Sequence, residues 1–210
     1  IENSYDKQNM INNVHNLIMY FKNDNYLKID NKPVFLLHHP WFLNDSEIKL
    51  LNDILNAECI NNNFDGVHFI VNSMNKYYDN YQNYNFHFNY KKSNDYFFVD
   101  NQKFIDYEKY INNINFRPNE IQTVVFDFDN RPRLFKPNRL QNSTICANNT
   151  EENQIKFLQN TINSYSNSSE PSSKILLINA WNEWGERMVI EPSKEKHDYY
   201  LNLIKNNLEK

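Results

Sequence analysis

Five short apolar runs, separated by stretches with helical spacing, constrain the fold of this chain more than any other feature of its sequence. The runs predict buried strands over residues 32–37, 66–71, 85–90, 123–128 and 174–180. Strands that alternate with helices are typical of βαβ units around a parallel sheet. The alternation indicates an α/β fold, either an open doubly wound sheet or a barrel, and periodicity alone does not distinguish the two. Both architectures place reactive side chains at the carboxyl ends of their strands.

The segments between the strands carry apolar residues at helical spacing. Helices are predicted over residues 8–23, 46–60 with Asp45 or Ser46 as N-cap, 104–114, from Thr150 as N-cap, and 199–208. The remaining segments are polar. The Tyr-rich run 77–84 is interpreted as a poorly ordered insertion, 141–150 as a mobile loop and 164–173 as a linker.

The composition argues against several classes of function. A net charge of −4 disfavours non-specific nucleic-acid binding, which requires a basic surface. No run approaches the roughly 18 apolar residues of a membrane span. Cys59 and Cys146 indicate neither a disulfide framework nor a metal knot, and we expect no metal and no cofactor. The chain begins at Ile1, which we interpret as a truncated N-terminus, so the sequence predicts neither a compartment nor an oligomeric state.

A buried-strand sequence runs directly into a motif that combines two acids with two tryptophans. The motif is Asn179-Ala180-Trp181-Asn182-Glu183-Trp184-Gly185-Glu186. Cleavage of a glycosidic bond needs one carboxylic acid to protonate the leaving oxygen and a second carboxylate as base or nucleophile. The two carboxyls need different pKa values, and burial against an indole raises one of them by disfavouring its charged form. Trp181 and Trp184 also offer flat faces on which a pyranose can stack. The alternative is a strand end with two ordinary glutamates and two core tryptophans.

Asp127-Phe128-Asp129 is the main alternative site. An acid-x-acid pair after an apolar strand is how many nucleotide-sugar transferases hold Mn²⁺ or Mg²⁺ through oxygen ligands. Arg131 and Arg133 follow this pair and are interpreted either as partners of these acids or as part of a solvated turn.

The tryptophan-rich motif, followed by Ile190-Glu191-Pro192, closely resembles the signature of the WbsX-type, glycoside hydrolase family 99-like proteins. Two further segments resemble that family in the same order. Residues 20–35 look like its approach to the fourth barrel strand, and Phe128-Asp129-Asn130-Arg131-Pro132-Arg133 resembles its Trp-Asp-Asn-Thr-x-Arg segment after the seventh. Asp106-Tyr107 and Tyr199-Tyr200-Leu201 are weaker matches. The resemblance covers nearly the whole chain.

This resemblance implies an α/β fold of the (β/α)8 TIM-barrel type. Residues 1–210 would be one N-terminally truncated domain, the C-terminal portion with about strands 4–8, and the first three strands would lie upstream. In family 99 itself the paired glutamates act on α-mannosides. By position, Glu183 would deprotonate the 2-hydroxyl that attacks the anomeric carbon. Glu186 would protonate the leaving oxygen and later act as base toward water.

We predict a set of substrate-binding residues, of which Asp129 and Asn130 follow from the resemblance, and the chain departs from the family at three places. The set comprises Trp181, Asn182, Trp184, Asp129, Asn130, His38 and Glu191. Arg187 stands where the family usually has Gly, which brings bulk and charge beside the acid, and Phe128 replaces a Trp. The fourth strand ends in His38-His39-Pro40 instead of Tyr-Arg-Pro, and at most one of these histidines faces the cleft, because adjacent residues on a strand point to opposite faces.

Three functions are compatible with the sequence. The first is a carbohydrate-active enzyme of the glycoside hydrolase family 99-like type that acts on glycosidic bonds of a glycan or polysaccharide. The second is a WbsX-type glycosyltransferase in polysaccharide assembly, with Asp127 and Asp129 either binding a metal or irrelevant. The third is a non-catalytic remnant that binds glycan. A glycan or polysaccharide is the expected partner in each case.

Overall fold

A computed structural model describes residues 7–73, 76–85, 96–114, 120–133, 143–166 and 175–208 of the chain. The chain divides into two compact units, residues 1–84 and 85–210. Both units are mixed α/β. Within the described ranges, no helix combines the length and the apolar character needed to cross a bilayer.

The first unit packs two helices against a short sheet. Its elements are α1 (Lys7–Phe21), β1 (Lys28–Ile29), β2 (Lys32–Leu37), α2 (Asp45–Asn61), β3 (His68–Asn72) and β4 (Gln82–Asn85). β2 pairs parallel with β3, and β3 pairs parallel with β4, while the two-residue β1 lies antiparallel to β2. The parallel pairing of β2 with β3 through α2 is what the alternating sequence predicts.

The helices of the first unit follow from their sequence spacing and their caps. α1 buries Met10, Val14, Ile18 and Phe21, which share one helical face. α2 begins one residue before the predicted position, because Asn44 is its N-cap. The Asn44 side chain accepts a bond from the Glu47 N–H at 3.0 Å, and the Glu47 carboxylate accepts one from the Asn44 N–H at 2.7 Å. This reciprocal capping box satisfies two of the orphan N–H groups and makes the prediction of Asp45 or Ser46 as N-cap wrong.

The Tyr-rich run is ordered over the residues that the structure describes, so its interpretation as a poorly ordered insertion is wrong there. Tyr78 and Tyr84 are buried. The Asn83 side chain closes the loop, since its amide group donates to the Tyr78 and Tyr81 carbonyls at 2.8 Å and its oxygen accepts from the Tyr78 N–H at 2.9 Å. Residues 86–90 of the predicted third strand lie outside the described residues.

The second unit combines a parallel strand pair with a three-stranded sheet and a short hairpin. Its elements are β5 (Tyr96–Val99), β6 (Gln102–Asp106), α3 (Tyr107–Asn112), β7 (Glu120–Val125), β8 (Thr144–Ala147), α4 (Glu151–Ser166), β9 (Leu177–Asn179), β10 (Asn182–Glu183), β11 (Met188–Val189) and α5 (Tyr199–Leu208). β7 and β9 run parallel. β6 pairs antiparallel with β5 and parallel with β8, and β10 pairs antiparallel with β11.

Two predictions for this unit are wrong in part. The expected helix over 104–114 begins with β6, and only α3 is helical. The expected mobile loop over 141–150 contains β8. Residues 141 and 142 of that predicted loop lie outside the described residues. In both places a short run of residues pairs with a strand about forty residues away in sequence, and local spacing does not report such pairing. The predicted Thr150 cap is confirmed, since its hydroxyl accepts from the Asn153 N–H at 3.2 Å.

Aromatic side chains fill the core of the second unit. Tyr107 is fully buried, and its hydroxyl donates to the Val125 carbonyl at 2.7 Å, at the carboxyl end of β7. Phe157 of α4 and Tyr200 of α5 pack in the same cluster. These contacts pack α4 and α5 in one cluster with residues at the carboxyl end of β7, where the candidate site begins.

Candidate active site

The candidate site is built from the loops that follow β7 and β9. Because these two strands are parallel neighbours, their carboxyl ends meet at one edge of the sheet. The loop after β7 carries Asp127 to Arg133, and the loop after β9 carries the tryptophan-rich motif. A backbone bond from the Asp129 N–H to the Glu186 carbonyl, 2.9 Å long, joins the two loops.

A tight hairpin holds the two motif glutamates. Glu183 ends β10 opposite Met188 of β11, and a 3-10 turn from Trp184 to Glu186 connects the strands. Arg187 ends that turn in the left-handed conformation, with φ of 55°. A side-chain-bearing residue pays about 1–2 kcal/mol for this conformation relative to a right-handed one. The family's usual glycine at this position therefore has a conformational reason.

Arg133 lies between the two glutamates. Its guanidinium places one terminal nitrogen 2.8 Å from Glu183 Oε2 and the other 3.2 Å from Glu186 Oε1. The two carboxyls differ in exposure: 36% of the Glu183 side chain is accessible to solvent, against 14% of Glu186. The site thus offers one carboxyl near solvent and one largely withdrawn from it, linked by a single cation.

Burial raises the pKa of the Glu186 carboxyl above its ordinary value. The Arg133 guanidinium works in the opposite direction, and the negative charge of Glu183 adds to the rise. Burial prevails because a carboxylate loses more hydration energy than one shared guanidinium returns. Glu186 therefore keeps its proton to a higher pH than an exposed glutamate, which is the property of a general acid.

Asp129 is buried and its carboxylate is occupied by Arg131. The guanidinium Nε contacts both carboxylate oxygens at 2.9 and 3.1 Å, a terminal nitrogen contacts Oδ2, and the Arg131 N–H donates to Oδ1 at 3.1 Å. Burial alone raises the pKa of Asp129, but these bonds outweigh it and hold the pKa below its ordinary value. Asp129 is thus an ionised anchor of the loop.

Asp127 also faces an arginine. Its Oδ1 accepts from the Phe128 N–H at 2.8 Å, and its Oδ2 lies 3.6 Å from Arg187 Nε. Arg187 also reaches Asp129 Oδ2 at 3.9 Å. In the part of the chain that the structure describes, no three His, Cys, Asp or Glu side chains are grouped so that they could hold a metal. The guanidinium of Arg187 faces Asp127 and Asp129. The prediction that Arg187 brings its charge beside the acid Glu186 is therefore wrong.

The two motif tryptophans are half exposed, and the alternative of two core tryptophans is wrong. Trp181 is 53% exposed and Trp184 55%. The Trp184 indole N–H donates to Glu191 Oε1 at 2.6 Å, and the Glu191 N–H donates to the Trp181 carbonyl at 3.0 Å. Glu191 thereby fixes the indole orientation, while Asn182 lies exposed at the start of β10.

The other predicted binding residues have structural partners. The Asn130 side-chain oxygen accepts from the Thr144 N–H at 2.7 Å. His38 lies in the first unit, after β2, where its Nδ1 is 2.9 Å from the Tyr84 hydroxyl. Burial, followed by the charge of His39, lowers the pKa of His38, and burial raises the pKa of Tyr84 to about 12. The two groups therefore share this hydrogen bond in their neutral forms.

Sequence reasoning assigned Arg133 no role at the glutamates, and this is the main omission at the site. Arg131 is confirmed as a partner of the aspartate pair, whereas Arg133 turns to the glutamates instead. A signal was present, because Arg133 matches the arginine of the family's Trp-Asp-Asn-Thr-x-Arg segment. The sequence does not show that this arginine lies next to a motif fifty residues later in the chain.

Comparison with known proteins gives one family and one fold. The family described as Glycosyltransferase WbsX matches the chain over residues 1–204. A solved structure described as a glycoside hydrolase-like protein superposes with a TM-score of 0.59 at 15% identity, over 96% of this chain and 60% of that one. The GH99 endo-alpha-mannosidase from Bacteroides thetaiotaomicron in complex with BIS-TRIS-Propane gives 0.61 at 14%, over 98% and 66%. A second structure of that description gives 0.55 at 13%, over 98% and 62%.

No curated protein matches the chain in sequence. The structural similarities show a mixed α/β, TIM-barrel-like fold, as the resemblance implied. The chain spans 60–66% of the length of these solved structures. Its description as one domain containing the C-terminal portion of a barrel stays a prediction.

Proposed function

The chain belongs to the WbsX glycosyltransferase family, and from that premise we propose that it acts on glycosidic bonds of a glycan or polysaccharide. The observation that carries the proposal is the pair of glutamates bridged by Arg133 at the carboxyl ends of β7 and β9. Paired carboxyls in unlike environments are the requirement of glycoside chemistry.

In the proposed mechanism the two glutamates have separate roles. Glu186, whose pKa is raised by burial, protonates the leaving glycosidic oxygen and later takes a proton from water. Glu183, which is more exposed and lies closer to Arg133, accepts the proton of the sugar 2-hydroxyl as that oxygen attacks the anomeric carbon. This substrate-assisted sequence follows the resemblance to glycoside hydrolase family 99.

The half-exposed indoles support a glycan as the substrate. Trp181 and Trp184 present apolar faces to solvent at the site, and carbohydrate rings stack on such faces. We propose α-mannosides as the first substrates to test, since one structural neighbour is an endo-alpha-mannosidase. The proposed sugar-binding set of this unit also contains Asn182, Asp129, Asn130 and Glu191, and a sugar contact of His38 in the first unit is a separate proposal.

A glycosyltransferase is the second candidate, because the family's description names that activity. In that case the same two carboxyls would activate an acceptor hydroxyl and assist the leaving group. A metal-dependent version through Asp127 and Asp129 is disfavoured by their arginine contacts, since a bound cation would have to displace Arg131 and Arg187. A glycan-binding domain without turnover is the third candidate.

The test compares wild type with Glu186→Gln on aryl α-mannosides and mannose-containing glycans without added metal. We expect sugar release by wild type and a loss of at least about a hundredfold in Glu186→Gln. Glu195→Gln is the matched control, because Glu195 is fully on the surface, and it should keep wild-type activity. Undiminished release by Glu186→Gln would remove Glu186 as the acid.

Two further outcomes separate the alternatives. Transfer from a nucleotide sugar, with no hydrolysis, would support the glycosyltransferase. Thermal stabilisation by oligosaccharides, with neither hydrolysis nor transfer, would support the binding domain. If the hydrolase is correct, activity falls as the pH rises through the pKa of Glu186, because the acid must enter the reaction protonated.

A further inference from the structure

Arg133 is the one cation in ion-pair contact with Glu183 or Glu186 among the residues that the structure describes. The neighbouring arginines are committed elsewhere. Arg131 binds Asp129, and Arg187 faces Asp127 and Asp129. Beside the effect of burial, the charges that act on the glutamate pair at contact distance are therefore those of Arg133 and of the two carboxyls themselves.

Gly185 provides the space through which Arg133 reaches both carboxyls. A Cβ at Gly185 would lie 3.0 Å from Arg133 Cγ, 3.0 Å from Arg133 Nε and 3.3 Å from Glu183 Oε1. These separations are tighter than ordinary van der Waals contact, so a side chain at position 185 would require Arg133 to shift by a few tenths of an ångström. The glycine of the motif is explained here by space, since the Arg133 side chain crosses directly over it.

The backbone around Arg133 is anchored from two sides. The Arg133 N–H donates to the Asn130 carbonyl at 3.2 Å, and the Asn130 side chain is held by Thr144 of β8. The bond from the Asp129 N–H to the Glu186 carbonyl fixes this turn against the glutamate loop. Arg133 therefore extends from a turn whose position relative to Glu186 is set by backbone bonds.

We propose that Arg133 is a positioning residue that bridges Glu183 and Glu186 and thereby sets how readily Glu186 gives up its proton. The inference rests on the proposed function, which makes these glutamates the reacting pair. One guanidinium compensates one carboxylate, so Arg133 and the two glutamates reach a net charge of zero when the pair holds a single proton. Arg133 contacts Glu183 at 2.8 Å and the more buried Glu186 at 3.2 Å, so its charge acts on both members of the pair.

The primary test requires no substrate. The side-chain carboxyl of Glu186 is titrated by carbon-13 NMR in wild type, Arg133→Met and Arg133→Lys, with Glu186→Gln used to assign its signal. We expect the Glu186 midpoint to rise in Arg133→Met, because Arg133 lowers the pKa of that group. Arg133→Lys should lie between the other two, because an ammonium keeps the charge but not the two-pronged geometry.

Lys109→Met controls for the loss of one positive charge from the same unit. Lys109 is exposed and pairs with Asp106, so its removal should leave the Glu186 midpoint in place. Gly185→Ala gives a second route, since it displaces Arg133 without removing it and should move the midpoint in the same direction by less. An unmoved midpoint in a folded Arg133→Met protein would overturn the inference.

Activity gives an independent readout once a substrate is identified. Arg133→Met should lower kcat by roughly tenfold to a hundredfold with a smaller change in KM, and should move the alkaline limb of the pH profile upward. Arg133→Lys should recover part of kcat. If wild type turns over no glycan, the proposed function fails while the NMR titration still decides the role of Arg133. A kcat and a pH profile in Arg133→Met that equal those of wild type would refute the positioning role of Arg133.

Discussion

Replacing Asp129 by Asn tests whether the charge pair beside the site stabilises the fold. The substitution keeps the size of the side chain and one acceptor oxygen for Arg131, but it removes the negative charge. The Asp129 side chain is 5% exposed, whereas Arg131 is 49% exposed. Arg131 can therefore be rehydrated when its partner is lost, which limits the destabilisation.

The expected loss follows from the contacts. A hydrogen bond to a charged group contributes about 1.5–3 kcal/mol to stability. Because solvent reaches Arg131, we reduce that range to about 1–2 kcal/mol at pH 7. For a chain of this size that corresponds to a drop in Tm of roughly 2–8 °C.

The pH dependence gives the prediction its sign. The pKa of Asp129 is lowered in the folded state from an ordinary value of 3.8, so the stabilisation is present above that value. It is lost as the pH falls through the still lower folded pKa, because wild type then also carries a neutral side chain. Urea unfolding of wild type and Asp129→Asn from pH 7 to pH 3 should therefore show two curves that converge in acid.

Asp53→Asn is the matched control, since Asp53 pairs with Lys49 on the surface and both side chains are more than half exposed. It should leave the free energy of unfolding close to that of wild type, because solvent screens an exposed ion pair. A gap between Asp129→Asn and wild type that stays constant down to pH 3 would refute the charge explanation. So would a loss at pH 7 no larger than that of the control.

Three further substitutions test local features by thermal and urea unfolding. Tyr107→Phe should cost about 1 kcal/mol, because it removes the buried bond to the Val125 carbonyl, and an unchanged Tm would contradict this. Asn44→Ala should cost about 1 kcal/mol by removing the cap of α2, whereas Asn44→Asp should retain it. Arg187→Gly should stay within about 1 kcal/mol of wild type in stability, since relief of the left-handed strain offsets the lost ion pairs. Arg187→Val should lose more stability than Arg187→Gly, and equal stability of these two variants would refute the conformational argument.

Strands β2, β3, β7 and β9 and most helices were predictable because their signal is local. β2 and α5 have the predicted bounds, since a continuous apolar run and a 3.6-residue spacing are both visible in sequence. β7 ends earlier than predicted. Phe126 and Phe128 are apolar and buried, but they lie beyond the last ladder pair with β9, so hydrophobicity overestimates the strand.

β6 and β8 were not predictable from local spacing. Their residues pair with each other across about forty residues, and the Gln102 side chain reinforces the pairing by donating to the Ser143 carbonyl at 2.7 Å. A segment of four or five residues with mixed polarity, like each of these strands, is compatible with a helix or a strand, and only the partner decides. The predicted cap of α2 missed by one residue for a simpler reason, since Asn, Asp and Ser are nearly equivalent caps.

At the site, the pair of glutamates was visible in the sequence, but the arginine that neutralises part of their charge was not. Glu183 and Glu186 stand three apart between tryptophans, and that pattern is local. The position of Arg133 depends on the backbone bond between the β7 and β9 loops, and the conformation of Arg187 depends on the 3-10 turn that precedes it. Both are properties of the folded edge of the sheet.

The arginines of this edge help to explain why Glu186 holds a proton to a higher pH than Asp129. Three guanidiniums face four carboxyls, which are those of Asp127, Asp129, Glu183 and Glu186. With all seven groups charged, three positive and four negative charges leave one uncompensated carboxylate, and a single proton neutralises the group. The bonds from Arg131 stabilise the ionised form of Asp129 and lower its pKa, whereas burial raises the pKa of Glu186 above its ordinary value. Arg187 adds its charge on the side of the aspartates, so it acts in the same direction as Arg131 and increases the difference between Asp129 and Glu186.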